Sequence, residues 1–216
     1  MLKNPEPPAS PTRSTYRHGD LRRALLDAGI ELARGGGPEA VVLREATRRA
    51  GVVPNAAYRH FGSRQELLQA VRAAALAALA AAMEAELARQ RQRRREADYA
   101  RASLRAVGTA YLRFALEETG LFRTAFGRPL PAPDAPPADK AGPGGLNPFE
   151  LLGVALDRMV QAGVLAAERR PGAEYLAWSA VHGLGLLLVD GPLHGRGGTA
   201  VQALSERLLD MVEQGL

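Results

Sequence analysis

Residues 43–64 of the chain, LREATRRAGVVPNAAYRHFGSR, predict two short helices separated by a tight turn. Small and apolar side chains recur at helical spacing in the first half, at Leu43, Ala46, Thr47 and Ala50. Gly51 can adopt the left-handed backbone that ends a helix, and Pro54 suits the first turn of the next helix. Phe61 is expected to anchor that second helix to the interior. A helix-turn-helix of this kind presents its second helix to the major groove of DNA.

A family resemblance rests on these residues. Over residues 20–71, and most specifically in the run Tyr-Arg-His-Phe at 58–61, the chain resembles the N-terminal DNA-binding domain of the tetracycline-repressor family of transcriptional regulators. The resemblance implies that Tyr58 and His60 contact DNA phosphates. It implies the same for Arg64, which occupies the place of a family lysine on the following helix.

Some positions depart from the family pattern. Family members usually begin both helices with Ser or Thr, whose side-chain oxygen accepts a hydrogen bond from a backbone N–H, whereas this chain has Val42 and Val53. Each missing cap is expected to cost about 1 kcal/mol, and at Val53 a phosphate hydrogen bond is also expected to be lost. Thr47 replaces the usual Ala and is still small enough for close helix packing.

The second helix, Pro54 to Phe61, is expected to lie in the major groove with few base contacts. Asn can pair with adenine through two hydrogen bonds, whereas Ala offers only contact with a thymine methyl, so DNA shape is expected to contribute to specificity. Arg59 could contact either a base or a phosphate. The predicted DNA-binding residues are Arg44, Pro54, Asn55, Ala56, Tyr58, Arg59, His60 and Arg64, with Arg44 on a phosphate and Asn55 and Ala56 nearest the bases.

Length and charge are compatible with two domains that act on a polyanion. The 216 residues suffice for a disordered arm at 1–15, a helix-turn-helix domain at 16–64 and a regulatory domain at 65–216. The formal charge of +5 suits nucleic acid, although a genome's preference for Arg explains it equally well. We find neither a signal-sequence core nor an unbroken apolar run of membrane length, and expect a cytoplasmic protein with no membrane partner.

Two polar segments admit two interpretations each. The arm at 1–15 is Pro-rich, and it either reaches the DNA backbone or is simply solvated. The basic run RQRQRRRE from Arg89 is either a second nucleic-acid patch or a solvated helix end. Its expected distance from the DNA-binding helix favours the solvated helix end.

The sequence indicates neither a cofactor, nor a metal, nor an enzymatic activity. The chain contains no cysteine, which excludes a disulfide, a thiol redox sensor and a Cys-containing zinc site. Its histidines lie without ligand spacing, at His18, His60, His182 and His194. Ser179, His182 and Asp190 share one predicted helix, and this segment does not build a catalytic relay with an oxyanion site on its own.

The remaining pattern predicts an all-α fold. A helix from Ser63 to about Ala88 would span about 40 Å and connect the DNA-binding domain to a helical regulatory domain. Further helices are expected from Ala100 and from Asn147, with a mobile Pro- and Gly-rich surface loop at 128–147 between them. The helix predicted at 172–190 is apolar on all sides and must be covered on all sides.

The last two predicted helices indicate self-association. Ser179, Gly183 and Gly185 would let another backbone approach the helix at 172–190 closely. The final helix carries an apolar stripe at Val201, Leu204, Leu208 and Met211. Two helices from each of two chains would cover both surfaces, which predicts a homodimer with a symmetric interface.

The resemblance also implies a small-molecule site in the regulatory domain. The residues offer an apolar cavity with aromatic walls, and the candidates are Tyr111, Phe114, Met159, Trp178 and His182. These side chains could equally fill an ordinary core, with His182 a satisfied buried histidine. The combination of Trp178, His182 and Gly183 resembles the C-terminal domain type named for Trp, His and Gly in one branch of the same family.

Together these features predict a ligand-responsive transcriptional regulator, most simply a dimeric repressor on near-palindromic double-stranded operator DNA. A small apolar or aromatic effector would favour a conformation that holds the two DNA-binding helices at the wrong separation. The alternative is a helical small-molecule-binding protein or hydrolase whose basic N-terminal region has no DNA role.

Overall fold

The computed structural model describes residues 18–90, 95–131 and 134–216, and all regular structure within these ranges is helical. The N-terminal arm at 1–15 and most of the basic run after Arg89 lie outside the described residues. The α-helices are α1 (His18–Ala40), α2 (Leu43–Arg49), α3 (Pro54–Ala57), α4 (Arg64–Arg89), α5 (Glu96–Glu117), α6 (Thr119–Ala125), α7 (Pro148–Gln161), α8 (Ala173–Val189) and α9 (Gly198–Gly215). The predicted all-α fold class is confirmed.

The helices α1, α2 and α3 form a small unit, here called the head, around a shared apolar interior that includes Leu25, Val41, Leu43 and Phe61. Val42 precedes α2 without a side-chain cap. At the other end of α2, the N–H of Val52 donates to the carbonyl of Thr47 (3.1 Å) and that of Gly51 to Arg48 (3.3 Å). Gly51 has a φ of 67°, which glycine adopts without steric cost, so α2 ends in a Schellman turn as its sequence predicts.

The second helix of the motif is shorter than its sequence predicts. α3 covers only Pro54–Ala57, and residues 58–60 continue as a turn. The N–H of Phe61 donates to the carbonyl of Ala57 (3.0 Å), which keeps the turn closed. Val53 has no side-chain oxygen to cap the helix, and four residues form too few hydrogen bonds to propagate it.

Helix α4 runs from the head into the regulatory domain. The Ser63 side chain accepts a hydrogen bond from the N–H of Glu66 (3.2 Å), so the predicted cap is present. Length and a mean hydropathy of 1.4 would let α4 span a membrane, but half of that apolar window is buried inside the protein. The apolar side is covered by α1, α5, α6 and α7, and its buried residues include Leu67, Val71, Leu79 and Met83.

The Pro- and Gly-rich segment after α6 lies along α4 instead of projecting into solvent. Gln69 on α4 donates to Asp134 (2.7 Å), and Glu84 accepts from the N–H of Gly144 (3.0 and 3.1 Å). A short 3-10 turn at Pro137–Lys140 lies between these two attachments and packs on α4. The described part of this segment lies on the surface, as predicted, and side chains remote in sequence attach it to α4. Its mobility stays a prediction.

The regulatory domain is built around α5, which contacts α4, α7, α8 and α9. The N-terminal end of α7 carries a complete capping box, in which Asn147 and Glu150 each bind the other's backbone N–H. At Gly108 on α5, the side chain of Leu209 on α9 occupies the space that a Cβ would need. The absence of a side chain at Gly108 therefore lets the last helix pack directly on α5.

The head is also joined to the regulatory domain by a close contact between α1 and α6. A Cβ on Gly120 would overlap the carbonyl oxygen of Ala33 and lie 2.5 Å from that of Arg34, so no other residue fits without movement of the helices. Beside this contact the Arg34 guanidinium donates to the carboxylate of Glu118 (2.8 Å). The head is thus held from two sides, by the continuous helix α4 and by α6.

We predict that Gly120→Ala weakens this contact and lowers the free energy of unfolding by about 1–3 kcal/mol, because the added methyl group meets backbone atoms that cannot rotate away. Urea unfolding followed by circular dichroism measures the change. The matched control is Gly35→Ala on α1, where a Cβ has no heavy atom within 4 Å. Equal stabilities of the two variants would contradict the proposed close contact.

Candidate nucleic-acid interface and ligand cavity

Three residues of the predicted DNA-binding segment are exposed on the head, whereas Ala56 and His60 are half-buried. Asn55 and Arg59 are exposed, and the Tyr58 side chain is 58% exposed although tyrosine is largely apolar. Phe61, by contrast, is 2% exposed, so it anchors the turn from the inside. The guanidinium group of Arg22 on α1 lies 5.1 Å from the centroid of the Phe61 ring. Arg22 is thus a further cation in this region, and the sequence pattern did not indicate it.

The arginines of α2 differ in their partners. Glu45 accepts hydrogen bonds from Arg48 (2.7 and 2.9 Å) and Arg49 (3.2 Å), and these bonds lower the pKa of its carboxyl group to about 2. Arg44 is exposed and forms no ion pair with any described residue. Of the three, Arg44 therefore keeps its full charge for a DNA phosphate, and Glu45 partly neutralises the other two.

Arg64 is used inside the protein in this conformation. Its Nε donates to the carbonyl of Val41 (2.7 Å) and its Nη2 to that of Pro38 (2.7 Å), which ties the start of α4 to the segment between α1 and α2. The Nη1 group makes no hydrogen bond to the described residues. Contact between Arg64 and a phosphate stays a prediction that would use this remaining group.

A small apolar cavity lies where α4, α5, α7, α8 and α9 meet. Its volume is about 20 Å³, enough for one water molecule and far below the several hundred Å³ of a typical ligand site. Of the predicted ligand residues, Tyr111 and Trp178 line it. Aliphatic side chains that the sequence analysis did not select form most of the remaining wall, among them Met83, Leu104, Val107, Leu152, Val181 and Leu209.

Tyr111 and His182 form a hydrogen-bonded pair beside this cavity. The Tyr111 hydroxyl lies 2.6 Å from Nδ1 of His182. Burial raises the pKa of Tyr111 and lowers the pKa of His182, so the tyrosine is protonated and the histidine neutral near pH 7. The hydroxyl therefore donates to Nδ1, and the remaining imidazole proton resides on Nε2.

An aromatic cluster surrounds the pair. Ring centroids of Phe122 and Trp178 lie 5.8 and 5.1 Å from that of Tyr111, and Phe126 lies 5.0 Å from His182. Phe122 and Phe126 were not among the predicted ligand residues, although their spacing of four places both on one side of a helix. The predicted residues Phe114 and Met159 are buried in the core and do not line the cavity, so their assignment stays a prediction.

The residues considered for catalysis do not converge. Ser179 is exposed and its hydroxyl donates to the carbonyl of Tyr175 (2.6 Å). Asp190 pairs with Arg123 (2.6 Å), and His182 is bound to a tyrosine. Among residues 18–90, 95–131 and 134–216, no group of three His, Asp or Glu side chains could hold a metal ion.

Two protein-family models match the chain. The family model described as bacterial regulatory proteins, tetR family, matches residues 25–71, and that described as tetracyclin repressor-like, C-terminal domain, matches residues 104–212. No curated protein matches the chain. The Trp-His-Gly type of C-terminal domain stays a prediction, since the matching model carries a different description.

Solved structures share the fold. A protein of unknown function from Rhodococcus sp. RHA1 is 26% identical, with a TM-score of 0.72 over 94% of this chain and 99% of its own. The TetR-family regulator PfmR from Thermus thermophilus is 21% identical, with a TM-score of 0.52 over 89% and 98%. RolR, solved with resorcinol, is 18% identical, with a TM-score of 0.56 over 90% and 88%.

A helix-turn-helix joined to a tetracyclin repressor-like C-terminal domain defines a bacterial transcriptional regulator. The chain belongs to the tetR family of bacterial regulatory proteins, because the C-terminal model alone covers half of its length and the N-terminal model covers the helix-turn-helix.

We predict that the neutral state of His182 makes stability depend on pH. Its pKa in the folded protein is below the ordinary value of 6.5, so the unfolded chain takes up the proton first. The free energy of unfolding should therefore be highest above pH 6.5 and fall as the pH drops through that value toward the folded pKa. Urea unfolding at pH 7.5, 6.5 and 5.5 measures this dependence.

The control is His182→Gln, whose side-chain oxygen can accept from Tyr111 without titrating. The difference in stability between pH 7.5 and 5.5 should be smaller in this variant than in the wild type. An identical pH dependence in both proteins would mean that other groups cause it.

Proposed function

We propose that the protein is a dimeric repressor that binds a near-palindromic operator and is released by a small apolar or aromatic effector. The observation that carries this proposal is the outward display of Asn55, Tyr58 and Arg59 on a head whose interior is anchored by Phe61. We place the protein in the cytoplasm, with no membrane partner and no enzymatic role, because its task is carried out on DNA.

On the operator, the head would insert residues 54–61, which are α3 and the turn that follows it, into the major groove. Two heads related by a twofold axis would reach successive grooves about 34–36 Å apart. Asn55 and Ala56 would face the bases, while Arg44 and the turn residues Tyr58 and His60 would hold phosphates. Arg59 would serve either purpose, and the free Nη1 of Arg64 would add a phosphate contact at the groove edge.

Dimer formation would use the outer faces of α8 and α9. Leu176 and Leu187 on α8 are 66% and 44% exposed, and Met211 on α9 is 59% exposed. Apolar side chains on neighbouring helices favour burial against another protein surface. A second copy of the same two helices would form a four-helix interface and cover both faces at once.

The effector would act from the aromatic cluster. The cavity of about 20 Å³ must enlarge to admit a molecule such as a substituted benzene. The aromatic side chains of its wall, Tyr111 and Trp178, would move to make that space. Phe122 lies against Tyr111 and is only two residues from Gly120, where α6 touches α1. A ligand that displaces Phe122 would move α6 and with it the head. RolR, which has the same fold, was solved with the aromatic ligand resorcinol.

The salt dependence of binding to a random DNA duplex tests the DNA role. Two arginine contacts to phosphate per head, from Arg44 and Arg64, predict for a dimer a slope of log K against log salt of about −3.6, or a loss of about 150-fold from 50 to 200 mM salt. If Arg59 also holds a phosphate instead of a base, the slope steepens by about 1.8. Fluorescence anisotropy of a labelled duplex measures it. A flat salt response would refute the proposed DNA binding.

Three variants separate the roles of the head residues. Arg44→Gln should reduce the slope to about −1.8, since one cation is lost from each head. Tyr58→Ala should lower affinity at every salt concentration without changing the slope, because the lost contact is uncharged. Glu45→Gln should raise affinity, because it removes the negative charge that neutralises Arg48 and Arg49. A Tyr58→Ala protein that no longer dimerises would assign that residue a structural role instead.

For the dimer, we predict that Leu187→Glu raises the dimer dissociation constant at least tenfold, because each interface would bury two carboxylates without partners. Sedimentation equilibrium measures the constant. Leu116→Glu on α5 is the matched control, since Leu116 is 43% exposed and Leu187 44%, but Leu116 lies outside the proposed interface. Unchanged association of the Leu187 variant would place the interface elsewhere.

A further inference from the structure

A cleft lies between the head and the regulatory domain, and it shares no lining residue with the apolar cavity. It is open to solvent and has a volume of about 570 Å³, the size of a small-molecule site. We call it the head–core cleft. It is bounded by the end of α1 at Pro38 and Glu39, by the first turns of α4, by α6 with the residues that follow it, and by the end of α8.

The head–core cleft carries an excess of positive charge. Four arginines line it, Arg64, Arg72, Arg123 and Arg128, against two carboxylates, Glu39 and Asp190. Asp190 is already paired with Arg123 (2.6 Å). Among the described residues, Arg64, Arg72 and Arg128 form no ion pair, so three guanidinium groups share one cleft with a single remaining carboxylate.

Two of these guanidinium groups are fixed in place by neutral acceptors. Arg64 donates to the carbonyls of Val41 and Pro38, both at 2.7 Å. Arg72 donates to the carbonyls of Thr124 (3.1 Å) and Arg128 (2.6 Å). Carbonyl oxygens orient a guanidinium group without cancelling its charge, and in both residues Nη1 has no partner among the described residues. The cleft therefore contains rigid, charged donors, the geometry that favours a carboxylate.

Burial makes this charge costly for the protein alone. The pKa of Arg72 is lowered, chiefly because burial removes water from its guanidinium group, and the attraction of Asp134 only partly offsets this. The Asp134 oxygens are themselves engaged with Lys140 (2.5 Å) and Gln69 (2.7 Å). An anion from solution would supply the missing negative charge.

The rest of the cleft wall is apolar and partly aromatic. Leu68, Leu130 and Leu186 contribute aliphatic surface, and Phe122 and Phe126 contribute rings whose centroids lie 5.1 Å apart. At Gly127 a Cβ would lie 3.3 Å from Nη2 of Arg72, so the backbone after α6 closely borders the charged part of the cleft. Charged donors thus adjoin a surface suited to a ring.

We propose that the head–core cleft binds a small organic anion, a carboxylate joined to an aromatic group. The carboxylate lies between Arg72, Arg128 and Arg64, and the ring packs on Phe126 and Leu68. Such a ligand touches both the regulatory domain and the head, since Arg64 also holds the carbonyls of Val41 and Pro38. The carboxylate and a DNA phosphate would compete for Nη1 of Arg64. That effect on operator binding rests on the proposed function, whereas binding of the anion itself does not.

Calorimetric titration of the full chain without DNA tests the proposal, with 2-naphthoate as the probe and 2-naphthamide as its uncharged counterpart. We expect one naphthoate per chain, bound at least tenfold more tightly than naphthamide. Equal affinities, or no naphthoate binding at up to 1 mM, overturn the proposal. Inorganic phosphate that binds as tightly as naphthoate overturns its aromatic part.

Variants locate the site. Arg128→Gln changes an exposed side chain that makes no hydrogen bond to the described residues, and it should weaken naphthoate binding at least fivefold while leaving naphthamide unaffected. Arg72→Gln should do the same, and Arg128→Gln suffices if that protein fails to fold. Arg196→Gln, an exposed arginine outside the cleft, is the control. Equal effects of Arg128→Gln and Arg196→Gln would overturn the assignment.

The outcome is independent of the DNA experiment. If naphthoate and naphthamide bind alike, the cleft proposal fails and the salt dependence of DNA binding is untouched. If the salt response of DNA binding is flat while naphthoate still binds through Arg128, the repressor proposal fails and the cleft remains a binding site.

Discussion

The contact between α1 and α6 at Gly120 is the constraint on which the arrangement of the two parts depends. Helix α4 alone would join the head to the regulatory domain through one continuous element, around which the head could rotate. At Gly120 the backbones of α1 and α6 approach so closely that moving the helices together would make atoms overlap. Moving them apart would lose packing contacts on both helices. Because Phe122 belongs to the same short helix, the aromatic cluster and the head are separated by one rigid element.

Elements whose signals are local were predictable from the sequence. Gly51, Ser63 and Asn147 each end or begin a helix through bonds to residues fewer than six positions away, so the pattern contains both partners. The burial of Phe61 was expected from its large apolar ring, and the exposure of Tyr58 from the family resemblance. The neutralisation of Arg48 and Arg49 by Glu45, at spacings of three and four, was equally available in the sequence.

Features that depend on distant partners were not predictable. Arg64 binds carbonyl groups 23 and 26 residues away. Gln69 binds Asp134, which belongs to a segment whose Pro- and Gly-rich composition predicts only a loop. The length of α3 depends on a competition between a missing cap and tertiary packing, which a pattern of residue types cannot resolve. The cavity is lined mainly by aliphatic side chains of five helices, and no spacing in the chain marks such residues as different from ordinary core.

The two sides of helix α9 face different surroundings, the cavity on one side and solvent on the other. Leu209 and Val212 form part of the cavity wall, whereas Met211 on the same helix faces outward. If two chains associate through that outward face, a molecule that enlarges the cavity shifts the same helix that the partner chain contacts. By thermodynamic linkage, a ligand in the cavity then changes the dimer association constant by the same factor as dimer formation changes the affinity of the cavity for that ligand. Apparent ligand affinity would in that case vary with protein concentration.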